Sequence, residues 1–446
     1  MDLFATCTQF LFALRALLET ALQADWMAVA LKFFPYVLLF ELPVQLTIML
    51  GAARRWLMQR GEDRTTGFCP SVSCIVTCYA EGRDVRQTIK SLTEQLYDGQ
   101  VEILAIVDGA VQNRATYAEL RALEAYVNGR PRRRLEVVAK LQRGGRVSSL
   151  NQGLALARGQ IVIAIDGDTS FDNDMLRHGV KHFARAEVVA VSGNLRVRNA
   201  KRSLWTRLQA VEYMLSIHLS RAGLDAFNIV NNVSGAFGIF RRDFLRHIGG
   251  WDSGTAEDLD LTLRIKKYFA RYPKLRIRFE PRAIGHTDAP HSFGAFLKQR
   301  LRWDGDLSYL YLRKYRHALR PGLMGLRNFV ALVWTGLLFQ LVFPFIVIGY
   351  SSYVFFVYPA GFVLAVLAFV YLFYLLLTSL MYLEYLLLYS ERRAYDLQFA
   401  WVVLLLPGFA FVTRCWSGIA TLMELFTRAH LDSAMAPSWV LRRTKF

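Results

Sequence analysis

Long segments with almost no charged side chains are the feature that most constrains how this 446-residue chain folds. Residues 26–50 contain only two charged side chains, and residues 329–389 contain only Glu384. A third largely apolar segment covers residues 398–426. Because a helix of about 20 apolar residues spans the hydrocarbon core of a bilayer, each segment predicts at least one transmembrane helix.

The number of membrane crossings depends on where these segments turn. Residues 329–350 and 353–389 predict two helices joined near Ser351-Ser352. The segment 398–426 contains a central Pro-Gly pair, so one kinked span and a tight hairpin both fit. The basic tail at 442–445 favours a cytosolic C-terminus, because Lys and Arg next to membrane helices stay inside. This orientation favours the hairpin.

The N-terminal residues 3–22 form a further apolar stretch, but Arg15 and Glu19 interrupt it, which makes it a weaker candidate for a span. A cleaved signal peptide is the alternative interpretation. It is disfavoured because no basic segment precedes the apolar run and no small-residue cleavage site follows it cleanly.

The net charge of +18 lies mostly between Arg54 and Arg327. This region is therefore expected to face the cytosol, which predicts a multi-pass protein of the inner (plasma) membrane. Nucleic-acid binding would also account for basic charge, but no DNA- or RNA-binding pattern is present. Contact with anionic membrane lipids and a substrate that carries phosphates explain the charge more simply.

The spacing of the cysteines does not predict a cysteine-ligated metal site. All five lie outside any C-x-x-C pair and have no partnering histidine clusters, so a zinc site is not expected. Cys74 and Cys78 share one face of a predicted strand, and we expect them to be small core residues.

Between residues 71 and 290 the chain alternates strand-like and helix-like patterns. The segment Asp84–Tyr97 has apolar residues at helical spacing. Short, β-branched runs that are typical of strands buried on both faces occur at Ser73–Tyr79, Val101–Val107, Leu135–Ala139 and Ile161–Ile165. This alternation predicts a largely parallel α/β sheet. The absence of G-x-G-x-x-G and P-loop motifs excludes a standard dinucleotide fold and a P-loop ATPase.

Acidic side chains follow two of these strands, at the ends where such sheets bind ligands. Asp166 and Asp168 follow Ile161–Ile165, and Asp108 follows Val101–Val107. Two carboxylates across one glycine can share a divalent cation, Mg²⁺ or Mn²⁺, and the diphosphate that it binds. Taken alone, both motifs are also turn signals, because turns are rich in Asp and Gly.

The end of the first predicted strand contributes further polar side chains to the same edge. Thr77, Tyr79 and Glu81 follow one another along Thr77-Cys78-Tyr79-Ala80-Glu81. We expect them to frame the same nucleotide as the carboxylates.

A second acidic motif, Glu257-Asp258, opens a predicted helix. Acidic residues in the first turn of a helix often do no more than complement its dipole. A general base, however, needs a carboxylate held near the hydroxyl that it deprotonates. Both interpretations fit the residues taken alone.

The segment Phe293–Tyr315 predicts an imperfect amphipathic helix that lies on the bilayer surface. Lys298, Arg302, Asp306 and Arg313 lie largely away from its apolar face. Gln299, Arg302 and Trp303 are spaced i, i+3 and i+4 and so share one face. Arg binds phosphate and Trp stacks on a sugar or a base, although an interfacial Trp with a snorkelling Arg is the structural alternative.

In this order, the four motifs resemble those of the processive membrane glycosyltransferases of family 2. This group includes the synthases of cellulose, hyaluronan, chitin, curdlan and poly-N-acetylglucosamine. The resemblance covers roughly residues 26–440. It rests on Asp108, Asp166 with Asp168, Glu257-Asp258, Gln299/Arg302/Trp303, and the loop Val233–Gly238. Residues 193–198, Gln209, Glu212-Tyr213 and Trp439…Arg442 are most similar to the poly-N-acetylglucosamine synthases.

The resemblance implies a role for each matching residue. Asp108 would contact the uridine of a UDP-sugar, and Asp166 and Asp168 would hold the nucleotide and its metal. Asp258 would be the base, with Glu257 beside it. The nucleotide-sugar site would also include Thr77, Tyr79, Glu81, Arg146 and Arg302. The acceptor site for the growing polysaccharide would include Ser234, Gly235, Gln299 and Trp303.

The resemblance also implies an architecture: an α/β domain of the GT-A type with interfacial helices and an α-helical transmembrane domain. The expected regions are an N-terminal transmembrane region (1–52), a cytosolic catalytic domain (53–290), the interfacial helix (291–325), a transmembrane channel (326–430) and a cytosolic tail (431–446). Membrane lipids would surround it. Whether a small membrane subunit or a second messenger is required stays open.

The expected activity is an inverting, processive transfer that builds a β-linked polymer, most similar to poly-N-acetylglucosamine, and passes it across the membrane. A hyaluronan- or glucan-type synthase and a non-processive transferase acting on a lipid or a short acceptor are the alternatives. A transporter or receptor with a degenerate domain is disfavoured, because the motif residues are intact. Two departures stand out: Arg146, where many members have Lys, and Asp304-Gly305-Asp306 after the tryptophan.

Overall fold

A computed structural model describes residues 3–22, 35, 37–59, 67–252 and 255–427. Most of the apolar run 26–34 and the whole predicted tail 431–446, with Trp439, lie outside the described residues. Within the described part, an α/β half is followed by a bundle of long apolar helices, and the first two helices pack against both.

The α/β half contains an eight-stranded sheet. The strands are β1 (Val72–Cys78), β2 (Val101–Val107), β3 (Arg133–Ala139), β4 (Ile161–Asp166), β5 (Ser170–Phe171), β6 (Val188–Val197), β7 (Phe237–Arg241) and β8 (Arg276–Thr287). Their order in the sheet is β3-β2-β1-β4-β7-β6-β8-β5. The four strands predicted from sequence are therefore confirmed, and they form one contiguous block.

The prediction of a largely parallel sheet is only half right. The pairs β1–β2, β1–β4 and β2–β3 are parallel, but β7 runs antiparallel to both β4 and β6. The antiparallel strand Phe237–Arg241 is short and contains a glycine, so its local pattern does not reveal its direction. Its position brings the loop that precedes it to the carboxyl end of β4, where Asp166 lies.

Helices cover both faces of the sheet, and Cys74 and Cys78 are buried beneath them as predicted. Among the described residues, the first two α-helices are α1 (Leu3–Leu22) and α2 (Leu42–Gln59). Those of the α/β half are α3 (Val85–Thr93), α4 (Arg114–Asn128), α5 (Gly145–Leu156), α6 (Met175–Val180), α7 (Leu204–Tyr213), α8 (Ser220–Asp225), α9 (Arg242–His247) and α10 (Glu257–Lys266).

The amphipathic helix predicted after the sheet is confirmed as α11 (Phe293–Tyr309), which continues into one π-helical turn to Lys314. The Ser292 hydroxyl caps it by accepting a hydrogen bond from the Ala295 N–H at 3.3 Å. The remaining helices are α12 (Pro321–Met324), α13 (Leu326–Leu332), α14 (Phe343–Val357), α15 (Ala360–Leu388), α16 (Arg393–Leu397) and α17 (Leu406–Thr427).

Three helical segments of the described chain are long and apolar enough to cross a membrane: Leu326–Val357, Ala360–Leu388 and Ala400–Thr427. The first is α13 and α14 joined by a π-helical stretch over Val333–Val342. The last is a 3₁₀ turn over Ala400–Leu405 that continues into α17.

Two details of the predicted crossings are wrong. The first turn does not fall at Ser351-Ser352, which lie inside α14. It falls at Tyr358 and Pro359, whose backbones are extended (ψ 153° and 148°), because the residue before a proline is driven out of helical geometry.

The predicted hairpin within 398–426 is also wrong, since residues 400–427 form one continuous helical segment. Pro407 lies in the first turn of α17. There its missing N–H needs no intrahelical partner, so the residue starts the helix instead of breaking it.

Helix α2 docks on α8 through two glycines. A Cβ atom at Gly51 would lie 2.3 Å from the Gly223 carbonyl oxygen, and one at Gly223 would lie 2.3 Å from the Ile48 carbonyl oxygen. The two backbones therefore approach as closely as small-residue contacts between membrane helices allow.

Next to this crossing, the carboxylate of Asp225 on α8 pairs with two buried guanidinium groups. Arg55 of α2 is 2.7 Å away and Arg278 of β8 is 3.1 Å away. The three charges lie in the interior, where leaving a charge uncompensated is costly. The cluster therefore fixes helix α2 to the α/β half.

We predict that Asp225→Asn destabilises the protein by about 3–5 kcal/mol, the usual cost of breaking a buried ion pair. Two guanidinium groups would remain buried beside a neutral amide. Thermal unfolding of the detergent-solubilised protein, followed by size-exclusion chromatography of heated samples, measures the change. The control is Asp243→Asn, whose exposed pair with Arg242 should not contribute measurably. Equal melting temperatures for the two variants would contradict the proposed anchoring.

Candidate functional site

A cavity of about 970 Å³ lies where the carboxyl ends of the central strands meet α11 and the apolar helices. Its walls include all fourteen site residues predicted from sequence: Thr77, Tyr79, Glu81, Asp108, Arg146, Asp166, Asp168, Ser234, Gly235, Glu257, Asp258, Gln299, Arg302 and Trp303. The structure therefore brings together side chains that are up to 226 positions apart in the chain, from Thr77 to Trp303.

The pair Asp166 and Asp168 lies at the end of β4, on a turn that the neighbouring elements hold. The Gly167 N–H donates to the Thr77 carbonyl at 3.0 Å, and the Thr88 hydroxyl donates to the Gly167 carbonyl at 2.7 Å. A Cβ at position 167 would lie 2.9 Å from Glu81 Cδ, so the Glu81 side chain packs directly against this turn. The Asp168 side chain is exposed to the cavity, whereas Asp166 is half-buried.

Glu81 approaches this pair from the end of β1 and accepts a hydrogen bond from the Tyr79 N–H at 2.7 Å. Burial raises the pKa of Glu81, and the nearby charge of Asp168 raises it further. The Tyr79 ring lies 4.0 Å below the guanidinium carbon of Arg143. No pattern in the sequence indicates Arg143, because only the fold places it over the aromatic ring.

Asp108 has a structural task that its sequence position did not indicate. Its carboxylate accepts hydrogen bonds from the Gly144 and Gly145 N–H groups, both at 2.8 Å, and pairs with Lys140 at 2.7 Å. Asp108 therefore caps the N-terminus of α5, where the free N–H groups and the helix dipole favour a negative charge. This cap fixes the start of the helix that carries Arg146.

Arg146 is the centre of the polar network in the cavity. Its Nε donates to Glu257 at 2.6 Å, and its Nη1 donates to Thr77 at 2.9 Å and to the carboxylate of Asp166. Its Nη2 donates to the Gly235 carbonyl at 2.7 Å. One side chain thus connects the ends of β1 and β4, the loop before β7 and the start of α10.

The predicted base, Asp258, lies in the first turn of α10 and faces the cavity. One carboxylate oxygen accepts hydrogen bonds from Asn232 Nδ2 at 2.9 Å and from the Gly235 N–H at 3.1 Å. The other accepts from the Leu259 N–H at 2.7 Å. Asn232 is a site residue that the sequence analysis missed, because asparagine in a loop carries no distinctive pattern.

The neighbouring Glu257 is buried, and burial raises its pKa while the charge of Arg146 opposes this shift. Ser234 completes the same loop and is also buried, with its N–H 3.3 Å from the Ser192 hydroxyl.

The cluster on α11 reaches the cavity as predicted, with Gln299, Arg302 and Trp303 in its wall. The Trp303 indole is 38% exposed, which leaves a free aromatic surface for a ligand. Arg300 is not singled out by the helical spacing of this cluster. Its guanidinium carbon lies 4.8 Å from the centre of the indole ring, and its guanidinium pairs with the Glu212 carboxylate of α7 at 2.6 Å. Arg300 therefore orients the tryptophan ring.

Asp306, which by its spacing lies largely away from the apolar face of this helix, is nevertheless buried. The side chain is only 5% exposed and lies close to Thr255. Burial raises the pKa of Asp306 to about 7. Its neighbour Asp304 accepts a hydrogen bond from the Ser417 hydroxyl of α17 at 2.7 Å. The unusual Asp-Gly-Asp triplet thus joins α11 to the elements around it.

The cavity continues from α11 between the apolar helices. Thr335, Phe339, Thr413, Arg414 and Ser417 line this part. The guanidinium of Arg414 donates to the Phe339 carbonyl at 2.9 Å and lies 4.1 Å from the centre of the Phe339 ring. Polar and aromatic side chains within a membrane domain usually mark a substrate path.

Within the described residues, no group of three or more His, Cys, Asp or Glu side chains could hold a metal ion by itself. Asp166 and Asp168 offer two carboxylates at the cavity wall. A hard divalent cation such as Mg²⁺ is commonly bound by one or two carboxylates together with substrate phosphates and water. The two residues therefore fit a cation that arrives with a nucleotide diphosphate.

Comparison with known proteins gives one family match and several relatives. A family described as "Glycosyltransferase like family 2" matches residues 70–305. A poly-beta-1,6-N-acetyl-D-glucosamine synthase of Staphylococcus epidermidis is 28% identical over 233 residues, which cover 52% of this chain and 53% of that protein. The protein of the same name from Staphylococcus aureus (strain COL) is 25% identical over 281 residues, 61% of this chain and 65% of that protein.

The matches thus cover about half to two thirds of the length of these relatives. Among solved structures, a mannosyltransferase from Pyrobaculum calidifontis in complex with GDP-Man and Mn²⁺ superposes with a TM-score of 0.52 at 16% identity. The superposition covers 86% of this chain and 99% of that one. At this identity, the likeness shows a shared fold of the GT-A type and no more.

The raised pKa of Asp306 predicts a pH-dependent stability. The folded protein binds a proton that the unfolded chain releases near pH 4, so the stabilisation is complete below that pH and is lost as pH rises towards 7. We expect the free energy of unfolding of the wild type to fall by roughly 2–4 kcal/mol through this effect, since each pKa unit corresponds to about 1.4 kcal/mol. Asp306→Asn should not show this fall.

Melting temperatures of wild type and Asp306→Asn between pH 4 and pH 8 provide the test. The variant should show a flatter profile, and Asp98→Asn, which alters an exposed side chain, should follow the wild type. Parallel profiles for Asp306→Asn and wild type would show that Asp306 is ionised throughout.

Proposed function

The chain belongs to glycosyltransferase-like family 2, and on this premise we propose that it is a membrane polysaccharide synthase. It transfers the sugar of a UDP-sugar, with inversion, to the end of a growing β-linked polymer and passes the polymer across the membrane. The relatives named above favour N-acetylglucosamine as the sugar. The protein would be a multi-pass protein of the inner (plasma) membrane with its α/β half in the cytosol.

The observation that carries this proposal is the single cavity shared by both halves of the molecule. It contains the carboxylate pair at β4, the carboxylate of Asp258, the indole of Trp303 and the side chains between the apolar helices. A transferase that adds one sugar needs the first two. A polymerase also needs a surface for the polymer end and a path across the membrane, and the lining by Trp303 and by side chains of the apolar helices supports both.

In the proposed donor site, Asp166 and Asp168 face the diphosphate, and Thr77, Glu81, Arg146 and Arg302 surround it. When bound there, Mg²⁺ or Mn²⁺ would neutralise negative charge on the diphosphate and so favour its departure. Tyr79, stacked under Arg143, offers a flat surface for the uracil base. Asp108 acts on this site through the cap that it provides for α5.

Asp258 performs the proton transfer in this mechanism. Asn232 and the Gly235 N–H hold one of its carboxylate oxygens, and the Leu259 N–H holds the other. The carboxylate takes the proton from the hydroxyl at the non-reducing end of the polymer. The oxygen then forms a bond to the anomeric carbon of the donor sugar, the bond from that carbon to the diphosphate oxygen breaks, and UDP leaves.

The acceptor side is formed by Ser234, Gly235, Gln299 and Trp303. The Trp303 ring lines the same cavity as Asp258 and is held by Arg300. Gln299 Oε1 is buried without a protein hydrogen-bond donor within the described residues, so a sugar hydroxyl there would satisfy it. Beyond this ring, the polar and aromatic lining between the membrane helices would guide the polymer, with lipids and any small membrane subunit outside.

In sequence terms, residues 53–290 would form the catalytic domain, 291–325 the interfacial helix and 326–430 the channel. The region 1–52 would hold the N-terminal membrane helices, and 431–446 a cytosolic tail. The contacts between α11 and α17 favour this division, because the Trp416 indole donates to the Leu297 carbonyl at 2.8 Å and so joins the helix to the channel.

The activity is tested by incubating purified protein in lipid with one UDP-sugar at a time and measuring both UDP release and product length. We expect polymer from UDP-N-acetylglucosamine with Mg²⁺ or Mn²⁺, and none in excess EDTA. Asp258→Asn should bind UDP-sugar normally but transfer about 10²–10⁴-fold more slowly, the usual contribution of a general base. Polymer from another UDP-sugar would change the proposed sugar substrate but would still support a polysaccharide synthase.

Two results would count against this reading. Products of only one or two sugars from the wild type would show a non-processive transferase. Elongation by Asp258→Asn at the wild-type rate would show that Asp258 is not the base and is only an acidic residue in the first turn of a helix.

Processivity depends on Trp303 in this proposal. Stacking on the indole should contribute about 1–3 kcal/mol to holding the polymer end, by analogy with aromatic–base stacking. Trp303→Ala should therefore shorten the polymer sharply while UDP-sugar hydrolysis persists. The matched control is Trp401→Ala, which removes an exposed indole that does not line the cavity. Polymer of unchanged length from Trp303→Ala would make this residue an interfacial anchor only.

A further inference from the structure

The guanidinium of Arg146 has almost no capacity left for a substrate. Four of its N–H groups donate to Glu257, Thr77, Asp166 and the Gly235 carbonyl, and arginine has five. The side chain is only 12% exposed. A simple role as a ligand for the donor diphosphate would require it to give up contacts that hold four elements together.

The contacts of Arg146 fall into two groups with different tasks. Thr77 and Asp166 lie at the ends of β1 and β4, where the donor would bind. Glu257 and Gly235 surround the base. Glu257 directly precedes Asp258, and Gly235 accepts from Arg146 through its carbonyl while its N–H donates to Asp258 at 3.1 Å.

The space around Gly235 shows how tightly this second group is packed. A Cβ there would lie 3.0 Å from a Glu257 oxygen and 3.3 Å from an Asp258 oxygen. A shift of the Arg146 guanidinium therefore cannot leave the base undisturbed, because one residue joins the two.

Asp166 is the point at which the donor would act on this network. Its carboxylate already pairs with Arg146. In the proposed function, the same carboxylate also binds the cation and faces the diphosphate. Donor binding at Asp166 must weaken its attraction for Arg146 and shift the guanidinium towards Glu257, since the charge of Glu257 is otherwise uncompensated in a buried position.

We propose that Arg146 is a positioning residue that couples occupancy of the donor site at Asp166 to the placement of Asp258 through Glu257 and Gly235. This inference rests on the proposed function and goes beyond it. It explains why arginine suits this position: a lysine ammonium has one nitrogen and cannot contact both carboxylates and the Gly235 carbonyl in a fixed plane. Base and donor site would therefore be aligned together.

The first test measures binding, not turnover. The affinity for UDP in the presence of Mn²⁺ is measured by calorimetry for wild type, Glu257→Gln, Arg146→Lys and the double variant. Glu257 has no assigned contact with the donor, yet Glu257→Gln should weaken UDP binding at least threefold, because Arg146 then relies more on Asp166. In the Arg146→Lys background the same substitution should have no measurable effect.

Transfer kinetics add a second readout. Arg146→Lys should lower kcat at least tenfold with little change in KM, since the base is misplaced while the donor still binds. A rise in KM with unchanged kcat would overturn the proposal and make Arg146 an ordinary diphosphate ligand. An equal effect of Glu257→Gln in both backgrounds would also overturn it.

If Arg146→Lys does not fold, a double-mutant cycle based on melting temperatures, measured without ligand, tests the same coupling. Asp166→Asn and Glu257→Gln should be non-additive, because both act on one guanidinium. The control pair is Asp168→Asn with Glu257→Gln, which should be additive, since Arg146 does not contact Asp168. Additivity of both pairs would overturn the coupling. Failure of the wild type to bind UDP at all would instead reject the proposed function.

Discussion

The site depends on one buried charge arrangement, the guanidinium of Arg146 between Asp166 and Glu257. In a low-dielectric interior, a carboxylate such as Glu257 cannot stay ionised without a partner. The partner is placed by backbone geometry, because Asp108 caps the helix that begins at Gly145. A carboxylate that resembles a ligand in the sequence therefore holds the residue that organises the cavity.

The second requirement is a firm connection between the α/β half and the apolar helices. The close approach of Gly51 and Gly223 and the buried Asp225 cluster join α2 to the sheet domain. On the other side, Asp304 and Ser417 join α11 to α17. Because α11 is held from both directions, Trp303 and Asp258 line one cavity, whose walls include residues of both halves.

Much of this arrangement could be predicted from local patterns. The four central strands, the amphipathic helix and the apolar helices after residue 326 are found close to their expected positions, since each has its own sequence pattern. The errors occur where a residue's meaning depends on its surroundings. Pro407 starts a helix instead of dividing a hairpin, and Asp306, although it lies largely away from the apolar face of its helix, is buried.

The sequence by itself determined the element types, the apolar spans and the chemistry available, because hydrophobic periodicity and residue types are local properties. Only the tertiary structure decided which groups act on one another. It joined Thr77, Asp166, Gly235 and Glu257 through a single guanidinium. It also placed Asn232 in contact with Asp258, and Arg300 in contact with Trp303. The physical reason is that hydrogen bonds and ion pairs depend on distances between residues far apart in the chain, and packing alone sets those distances.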